Sequence, residues 1–367
     1  MNYKETLFFV AKCLTINHEA HNKRIVEEIL QSNTIDWDEV VKLSTAHFVF
    51  PALYCNLKRA SFLSYLPEDL VDYMKYITKL NRERNEEIII QAKELNTLLL
   101  AHNITPIFIK GTGNLLEGLY EDIAERMVGD IDFLFSKEDY PRAIELLENN
   151  EYSHNYKIDF LFTSKKRHYP KLVHQKKIAA IEIHKKLLDE KYTQEFNYNF
   201  IKKSTQIING VSVLSFEDQL SLSIAASHIN NNGFEYKNIT LRNAYDVFLL
   251  SKNTIAKKAF KKFNTLEHLL NSFLASSYIM FNNPKTLEYT TSKKIEKYLT
   301  HFNKLIDDKK LLEQEVKKKM RKRMINRRVE IIFKSFFYKN YRTWLYKRIT
   351  NKNWRKEKLI QLGIQKA

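Results

Sequence analysis

The sequence predicts an α+β fold, in which a small sheet is flanked by N- and C-terminal helical domains. Residues 1–102 carry apolar side chains at helical intervals, whereas residues 103–205 consist of short apolar runs separated by turns. Residues 206–315 return to the helical pattern. We therefore expect an N-terminal helical domain, an α/β core and a C-terminal helical domain over these three ranges, followed by a basic aromatic tail over residues 316–367.

Length and composition indicate a folded protein of two or three domains. Of the 367 residues, 44% are hydrophobic, which agrees with a folded soluble protein. The two cysteines, Cys13 and Cys55, cannot form a disulfide framework, so we expect a reducing cytoplasm. The N-terminal LFFVA run is short and is broken by Lys12, which argues against a signal peptide. No apolar stretch approaches the ~20 residues of a membrane span.

The positive charge is concentrated at the C-terminal end of the sequence. The formal net charge is +17, and residues 316–367 hold 18 Lys and Arg against Glu330 and Glu357. The preceding residues are therefore close to neutral. This distribution is typical of an appended electrostatic segment rather than of a protein that is basic throughout.

Three interpretations compete for this tail, in which basic clusters alternate with aromatic and aliphatic side chains. The first is a terminal helix whose aromatic side packs on the body. The second is a basic amphipathic helix on an anionic membrane surface, which would place the protein at the inner surface of the membrane. The third is a nucleic-acid contact with aromatic stacking. We rank them in that order, because a segment that bound its partner only by electrostatic attraction would not need so many apolar residues.

The N-terminal segment is predicted to be helical. Asp36 is a candidate N-cap for a helix that carries Trp37 and Phe48 at roughly helical intervals. Residues 68–102 form a longer helical run without Gly or Pro, which a break near Asn81 would divide. We expect this segment to serve packing and to form one wall of a cleft.

A strand, a glycine turn and a helix are predicted in succession after Pro106. The apolar run PIFIK begins with proline, which is allowed at the first residue of a strand. Gly111, Thr112 and Gly113 follow at once, and leucines at helical spacing come next. The turn would deliver backbone N–H groups and the Thr112 hydroxyl to a helix N-terminus, where a phosphate is favoured.

Two aspartates in the segment GDIDFLF form a candidate metal site. Asp130 and Asp132 alternate with Ile131 and Phe133, so on a strand both carboxylates project from one face. Strands are depleted in Asp, and like charges side by side raise each other's pKa. The pair therefore predicts a hard cation such as Mg²⁺, held by oxygen ligands.

The sheet is predicted to be extended by three further strands, which form an antiparallel meander over residues 157–163, 167–175 and 177–187. In the last of them Glu182 and His184 share one face, which makes Glu182 a third acidic candidate. His184 and His168 are predicted to be structural or acceptor-site residues, because hard Mg²⁺ prefers oxygen ligands.

The C-terminal helical segment is predicted to be structural. Ser215 is a plausible N-cap. Arg242 and Asp246 are four residues apart on one helix, a spacing that favours a local ion pair. His228 lies at the end of an apolar helix, and we expect its neighbours to satisfy it rather than a ligand.

Six motifs follow one another between residues 35 and 250: DWDEVVKLSTAHFVFPALYCNL, FIKG, LY…R…GDIDFLF, IEIH, LSFEDQLSLSIAASH and LRNAYDVFLL. This ordered set resembles the bacterial family of uncharacterised nucleotidyltransferases, which belongs to the DNA-polymerase-β-like nucleotidyltransferase superfamily. A D-x-D motif alone would be a weak signal. The resemblance implies a mixed-sheet, polymerase-β-like nucleotidyltransferase core between the two helical domains.

The resemblance also implies a metal-dependent enzyme. It would move a nucleoside monophosphate, with AMP from ATP favoured, to a hydroxyl of a small molecule, a glycan precursor or a protein, and release pyrophosphate. Asp130 and Asp132 would hold two Mg²⁺ ions, or Mn²⁺, which lie ~3.5–4 Å apart in two-metal sites. Glu182 would complete the shell of the catalytic metal and help to deprotonate the hydroxyl. The nucleotide would be bound by Lys110, Gly111, Thr112, Gly113 and Arg126.

Two features leave alternatives open. The superfamily's turn is typically Gly-Gly or Gly-Ser, whereas this chain has Gly111-Thr112. The segment IDFLF occurs twice, and its second copy contains Asp159, a rival to Glu182 as third metal ligand. Two other functions stay open: a non-catalytic binding module that docks to membrane or nucleic acid, and a template-independent RNA nucleotidyltransferase, which the basic tail would favour.

Overall fold

Five helices form the N-terminal segment. The structure is a computed structural model and describes residues 1–154 and 167–361. The helices are α1 (Tyr3–Cys13), α2 (Ala20–Gln31), α3 (Trp37–Ala46), α4 (Phe50–Arg59) and α5 (Glu68–Ala101). Asp36 caps α3 as predicted, since its side chain accepts a hydrogen bond from the backbone N–H of Glu39 at 3.1 Å.

Helix α5 is continuous over 34 residues, so the predicted break near Asn81 is wrong. Asn81 and Asn85 lie on the buried side of the helix. Their amide groups donate hydrogen bonds to the carbonyl oxygens of Ala124 and Arg126, each at 2.7 Å. The two asparagines therefore stay helical and hold the loop that leads into the second strand.

A five-stranded mixed sheet lies at the centre of the fold, in the order β3-β2-β1-β5-β4. The strands are β1 (Ile107–Phe108), β2 (Asp130–Leu134), β3 (Ala180–His184), β4 (Gln206–Ile208) and β5 (Val211–Val213). β2 pairs with β3 in parallel, and β1 pairs with β5 in parallel, while β1 with β2 and β4 with β5 are antiparallel. The α+β class and the mixed sheet are thus confirmed.

The predicted antiparallel meander after β2 is wrong. Helix α6 (Lys110–Glu117) follows β1, and helix α7 (Asp139–Asn149) follows β2. The chain crosses over through α7, which allows β3 to pair with β2 in parallel. Residues 167–175 make isolated antiparallel bridges instead of a strand, for example Leu172 with Ile181. The predicted strand 157–163 lies outside the described residues.

The sheet continues beyond residue 205, where the sequence pattern predicted helix. β4 and β5 form a hairpin whose turn residues, Asn209 and Gly210, have φ of 50° and 77°. An Asn-Gly pair between two β-branched runs is the strongest short-range hairpin signal, because both turn positions need positive φ. The sequence therefore contained the information that corrects this prediction.

The C-terminal helices complete the body. They are α8 (Tyr198–Ile201), α9 (Phe216–Ala225), α10 (Gly233–Tyr236), α11 (Leu241–Leu250), α12 (Ala256–Phe260), α13 (Glu267–Met280) and α14 (Lys293–Asp307). Ser215 caps α9 as predicted. His228 lies in a π-helical turn, Ala226–Asn230, that follows α9. It is buried and hydrogen-bonds to Tyr298 at 3.1 Å, and burial lowers its pKa to about 3. It is thus a neutral core histidine whose Nε2 is satisfied by a neighbour as predicted, whereas its Nδ1 has no hydrogen-bond partner among the described residues.

Residues 308–361 belong to a compact unit separate from the rest of the described chain. They form α15 (Lys309–Phe337), α16 (Lys339–Thr350) and α17 (Lys352–Gln361). Several large apolar side chains of α15 are exposed, including Phe336 at 72% and Phe337 at 67%. In the described part of the chain, no helix combines the length and the apolar character needed to cross a membrane.

Candidate active site

The pairing of β2 with β3 brings two carboxylates together. Asp132 lies directly beside Glu182 in the parallel register. Ile131 and Phe133, which alternate with the aspartates, are completely buried. Asp130 and Asp132 both line a cleft on the opposite face. The predicted alternation along β2 is therefore confirmed.

Asp132, Glu182 and His184 could hold a metal ion. One ligand atom from each lies within 4.8 Å of the others, and Nε2 of His184 is 2.8 Å from Oδ1 of Asp132. Two carboxylates suit Mg²⁺ or Mn²⁺, whereas an imidazole also suits softer divalent ions. The donor set fits a divalent cation. His184 was predicted to lie outside the metal site but belongs to this group, while the carboxylate of Asp130 lies outside it.

Lys110 contacts all three members of this group. Its Nζ lies 2.6 Å from Oδ1 of Asp132, 3.6 Å from Oε2 of Glu182 and 3.2 Å from Nε2 of His184. Lys110 is the first residue of α6 and has a left-handed backbone conformation, with φ of 57°. Such strain in a residue other than glycine is concentrated at functional sites. The structure thus gives Lys110 carboxylate partners.

Lys171 is a site residue that the sequence analysis did not single out. Its Nζ contacts Oδ2 of Asp130 and lies 3.3 Å from Oε1 of Glu182. Lys171 belongs to a segment that makes isolated β-bridges to β3 without forming a strand. The two-residue alternation of a strand therefore could not predict which way Lys171 faces. Glu182 therefore lies between two ammonium groups, each of which also contacts an aspartate.

Glu182 is held in its ionised form. Burial by itself would raise the pKa of Glu182, but the hydrogen bond from His184 and the charge of Lys110 outweigh it. The pKa is therefore well below the usual range for a carboxyl group. An ionised carboxylate is the form that binds a metal ion.

The glycine turn lies inside α6 and supports the strand more than it faces the cleft. The hydroxyl of Thr112 is buried, donates to the carbonyl oxygen of Asp130 at 3.1 Å and accepts from the N–H of Asp132 at 3.4 Å. A Cβ at Gly113 would lie 2.6 Å from Nε2 of Gln219, so only glycine fits there. Among the three turn residues, Gly111 lines the cleft.

Arg126 is committed to a buried ion pair. Its Nε lies 3.0 Å from both carboxylate oxygens of Asp246, and its Nη2 lies 2.9 Å from one of them. Its Nη1 donates to the carbonyl oxygen of Met127 at 2.8 Å, and the hydroxyl of Tyr120 donates to Asp246 at 2.7 Å. The predicted local pair between Arg242 and Asp246 is therefore wrong, because Asp246 binds an arginine 120 residues away in the sequence.

The cleft has a volume of about 330 Å³. The carboxylates of β2 and β3 line the cleft. Helix α9, the π-helical turn and α11 contribute Ser223, Asn230 and Arg242, respectively. π-Helical turns inside helices occur frequently at functional sites. His168 also lines the cleft, and burial lowers its pKa. Asp159, the rival third ligand, lies outside the described residues.

The chain belongs to the family of uncharacterised nucleotidyltransferases, whose model matches residues 33–281. It is thus a nucleotidyltransferase. The matched range includes the whole sheet and the helix that carries Arg242. No curated protein and no solved structure shows significant similarity to the chain.

Proposed function

We propose that the cleft transfers a nucleoside monophosphate, AMP from ATP being the favoured case, to a hydroxyl of a small molecule, a glycan precursor or a protein. Pyrophosphate leaves. The observation that carries this proposal is the adjacency of Asp132 and Glu182 across paired strands, with Asp130 on the same face of β2. Three carboxylates around one cleft offer the oxygen ligands that Mg²⁺ or Mn²⁺ requires.

Asp132 and Glu182 would hold the catalytic cation together with His184, and Asp130 would contribute to a second cation position. When bound, such ions polarise the phosphoryl oxygens, lower the pKa of the attacking hydroxyl and stabilise the leaving group. Glu182 lies directly beside Asp132 and has a carboxylate oxygen within 4.8 Å of ligand atoms of Asp132 and His184. We therefore assign Glu182 the role of a ligand, in place of the base role that the family resemblance suggested.

The two lysines complete the proposed site. Lys110 pairs with the carboxylate of Asp132, and Lys171 pairs with that of Asp130. Gly111 at the edge of the cleft allows close approach of the nucleotide. Thr112 and Gly113 act indirectly, because they fix β2 and α6.

We also propose that the sheet is a polymerase-β-like core. Support comes from the D-x-D motif on β2, from the glycine-containing helix α6 earlier in the chain and from an acidic residue on the neighbouring strand. The division into helical domains over residues 1–102 and 206–315, a core over 103–205 and a tail over 316–367 stays a proposal. In the structure, the hairpin of β4 and β5 adds to the sheet of this core.

Nucleotide binding tests this function. Each of the four NTPs would be added with Mg²⁺ to the full chain, and the melting temperature would be followed. We expect ATP with Mg²⁺ to raise it by several degrees, and EDTA to abolish the shift. A binding module that does not use metal would show no Mg²⁺-dependent shift with any NTP, and this result would refute the proposed site.

We propose that the tail lies on an anionic membrane surface. The net charge of +16 on residues 316–367 attracts anionic lipid, and exposed Phe333, Phe336 and Phe337 on α15 can enter the interface.

Vesicle sedimentation tests the tail. The full chain should sediment with vesicles that contain phosphatidylglycerol and stay in solution with phosphatidylcholine alone. Replacing the three phenylalanines by serine should weaken binding at least tenfold without a change in charge. Equal binding by the variant, or tight binding to RNA that the replacements leave unchanged, would contradict the membrane assignment.

A further inference from the structure

Arg242 is a cleft-lining arginine without a carboxylate partner among the described residues. Asp246, four residues further along the same helix, accepts hydrogen bonds from Arg126 and Tyr120 instead. Lys110 and Lys171 differ from Arg242 in this respect, because each contacts a carboxylate, Asp132 and Asp130 respectively. Arg167, a further cation of the cleft, pairs with Asp189 at 3.2 Å. Arg242 therefore forms no ion pair with a carboxylate of the described chain, although the charges of Asp246 and Asp132 act on it from a greater distance.

The guanidinium of Arg242 is held in a defined orientation. Its Nη1 donates to the carbonyl oxygen of Met127 at 3.3 Å, an oxygen that also accepts a hydrogen bond from Arg126. Its Cζ lies 4.7 Å from the centre of the Phe48 ring, within the range of a cation–π contact. The Nε is buried and has no hydrogen-bond partner in the described chain. A guanidinium that is fixed in this way and lines the cleft is suited to bind an anion there.

Phe48 supports this arrangement at a cost in backbone energy. It has φ of 58°, a left-handed conformation that is a genuine outlier for a bulky side chain, and its side chain is 45% exposed. The backbone next to it is tied to α11, because the N–H of Arg242 donates to the carbonyl oxygen of His47 at 3.3 Å. The His47 side chain also accepts from the N–H of Leu241 at 3.1 Å. This conformation ends α3 in a Schellman motif, in which the N–H of Val49 donates to the carbonyl oxygen of Ser44 at 2.9 Å. It places the Phe48 ring over the guanidinium of Arg242.

The surroundings of Arg242 favour an anionic ligand. Burial and the nearby charge of Arg126 lower the pKa of Arg242 to about 10, so it is still protonated at neutral pH. The guanidinium of Arg126 repels that of Arg242, and Asp246, which pairs with Arg126, offsets part of this repulsion. An anion bound at Arg242 would relieve this repulsion. Gly111, which packs against Arg126, lines the same cleft.

We propose that Arg242 binds the β- or γ-phosphate of the nucleotide, the role that the family resemblance implied for Arg126. This inference rests on the proposed function, since it requires that an NTP enters the cleft. It makes Arg242 a substrate-binding residue contributed by a helix outside the α/β core, whereas Arg126 is a positioning residue that holds α11 through Asp246.

The test compares ATP, pyrophosphate and AMP as ligands of Arg242→Gln, measured by calorimetry with Mg²⁺ present. We expect the variant to bind ATP and pyrophosphate about 10- to 100-fold more weakly, which is the usual effect of losing a hydrogen bond between charged groups. We expect it to bind AMP almost as well as the wild type does. Arg242→Lys should bind ATP and pyrophosphate with intermediate affinity, because lysine keeps the positive charge but lacks the planar guanidinium that can donate two parallel hydrogen bonds. Arg84→Gln is the matched control, since Arg84 donates to Gly129 of the same loop at 3.1 Å but does not line the cleft.

The outcomes separate this inference from the function on which it rests. Unchanged affinity of a folded Arg242→Gln for ATP, or an equal loss for AMP, would overturn the phosphate assignment while wild-type nucleotide binding stands. Failure of the wild type to bind any nucleotide with Mg²⁺ would overturn both. Arg242→Lys decides the matter if the glutamine variant does not fold, because a folded lysine variant with wild-type affinity for pyrophosphate also overturns the assignment.

Discussion

Replacing Asp132 by Asn should reduce nucleotidyl transfer by about 10³-fold or more, because a cation bound there supplies several kcal/mol of transition-state stabilisation. Asp132 lies beside Glu182 and contacts His184 and Lys110, so it is the centre of the proposed site. The change keeps the shape of the side chain and removes its charge. The measurement is Mg²⁺-dependent release of pyrophosphate from ATP, with a cell extract as the source of acceptor.

Asp139→Asn is the matched control. Asp139 lies at the start of α7, where it pairs with Arg142 near the surface, and we expect this variant to release pyrophosphate at the wild-type rate. Both variants should keep the circular dichroism spectrum of the wild type. If folded Asp132→Asn turned over at the same rate as Asp139→Asn, the cleft would not be the place of catalysis.

Replacing Asp246 by Asn should lower the free energy of unfolding by about 3–5 kcal/mol, the usual cost of leaving a buried charge unpaired. Asp246 and Arg126 are 1% and 6% exposed, respectively, and Tyr120 also donates to the same carboxylate. The amide would leave the guanidinium of Arg126 buried without a counter-charge. Urea unfolding at pH 7, followed by circular dichroism, measures the loss.

Two comparisons sharpen this prediction. Glu288→Gln breaks the ion pair with Lys257, in which both side chains are exposed, and should change stability little. The double variant Arg126→Met with Asp246→Leu should lose less than the sum of the single variants, because neither charge is left unpaired. Strict additivity, or a loss in Asp246→Asn no larger than in Glu288→Gln, would contradict the role assigned to the buried pair.

The alternation of polar and apolar residues predicted the parts of the site that lie on a single strand. The alternation of Asp130 and Asp132 with apolar residues fixed their common face, because the period of a strand is two. The same rule placed Glu182 and His184 on one face of β3. The Asn209-Gly210 turn shows that the pattern also contained a hairpin that the helical prediction overlooked.

Contacts between distant segments could not be predicted in this way. The i, i+4 spacing suggested that Asp246 pairs with Arg242, yet Arg126 reaches it from another part of the chain. Lys171 approaches Glu182 from a segment without regular strand pairing. The order of the strands also could not be predicted from the sequence pattern, because the parallel pairing of β2 with β3 depends on the crossover between them.

The most direct test of nucleotidyl transfer follows two labels through one reaction. ATP labelled at the α-phosphate, or at the γ-phosphate, is incubated with the full chain, Mg²⁺ and a cell extract, with Asp132→Asn as the control. Transfer of AMP predicts that the α-label enters an acceptor, that the γ-label leaves as pyrophosphate, and that Asp132→Asn does neither. Entry of the γ-label into the acceptor, with ADP as the product, would contradict the proposed reaction.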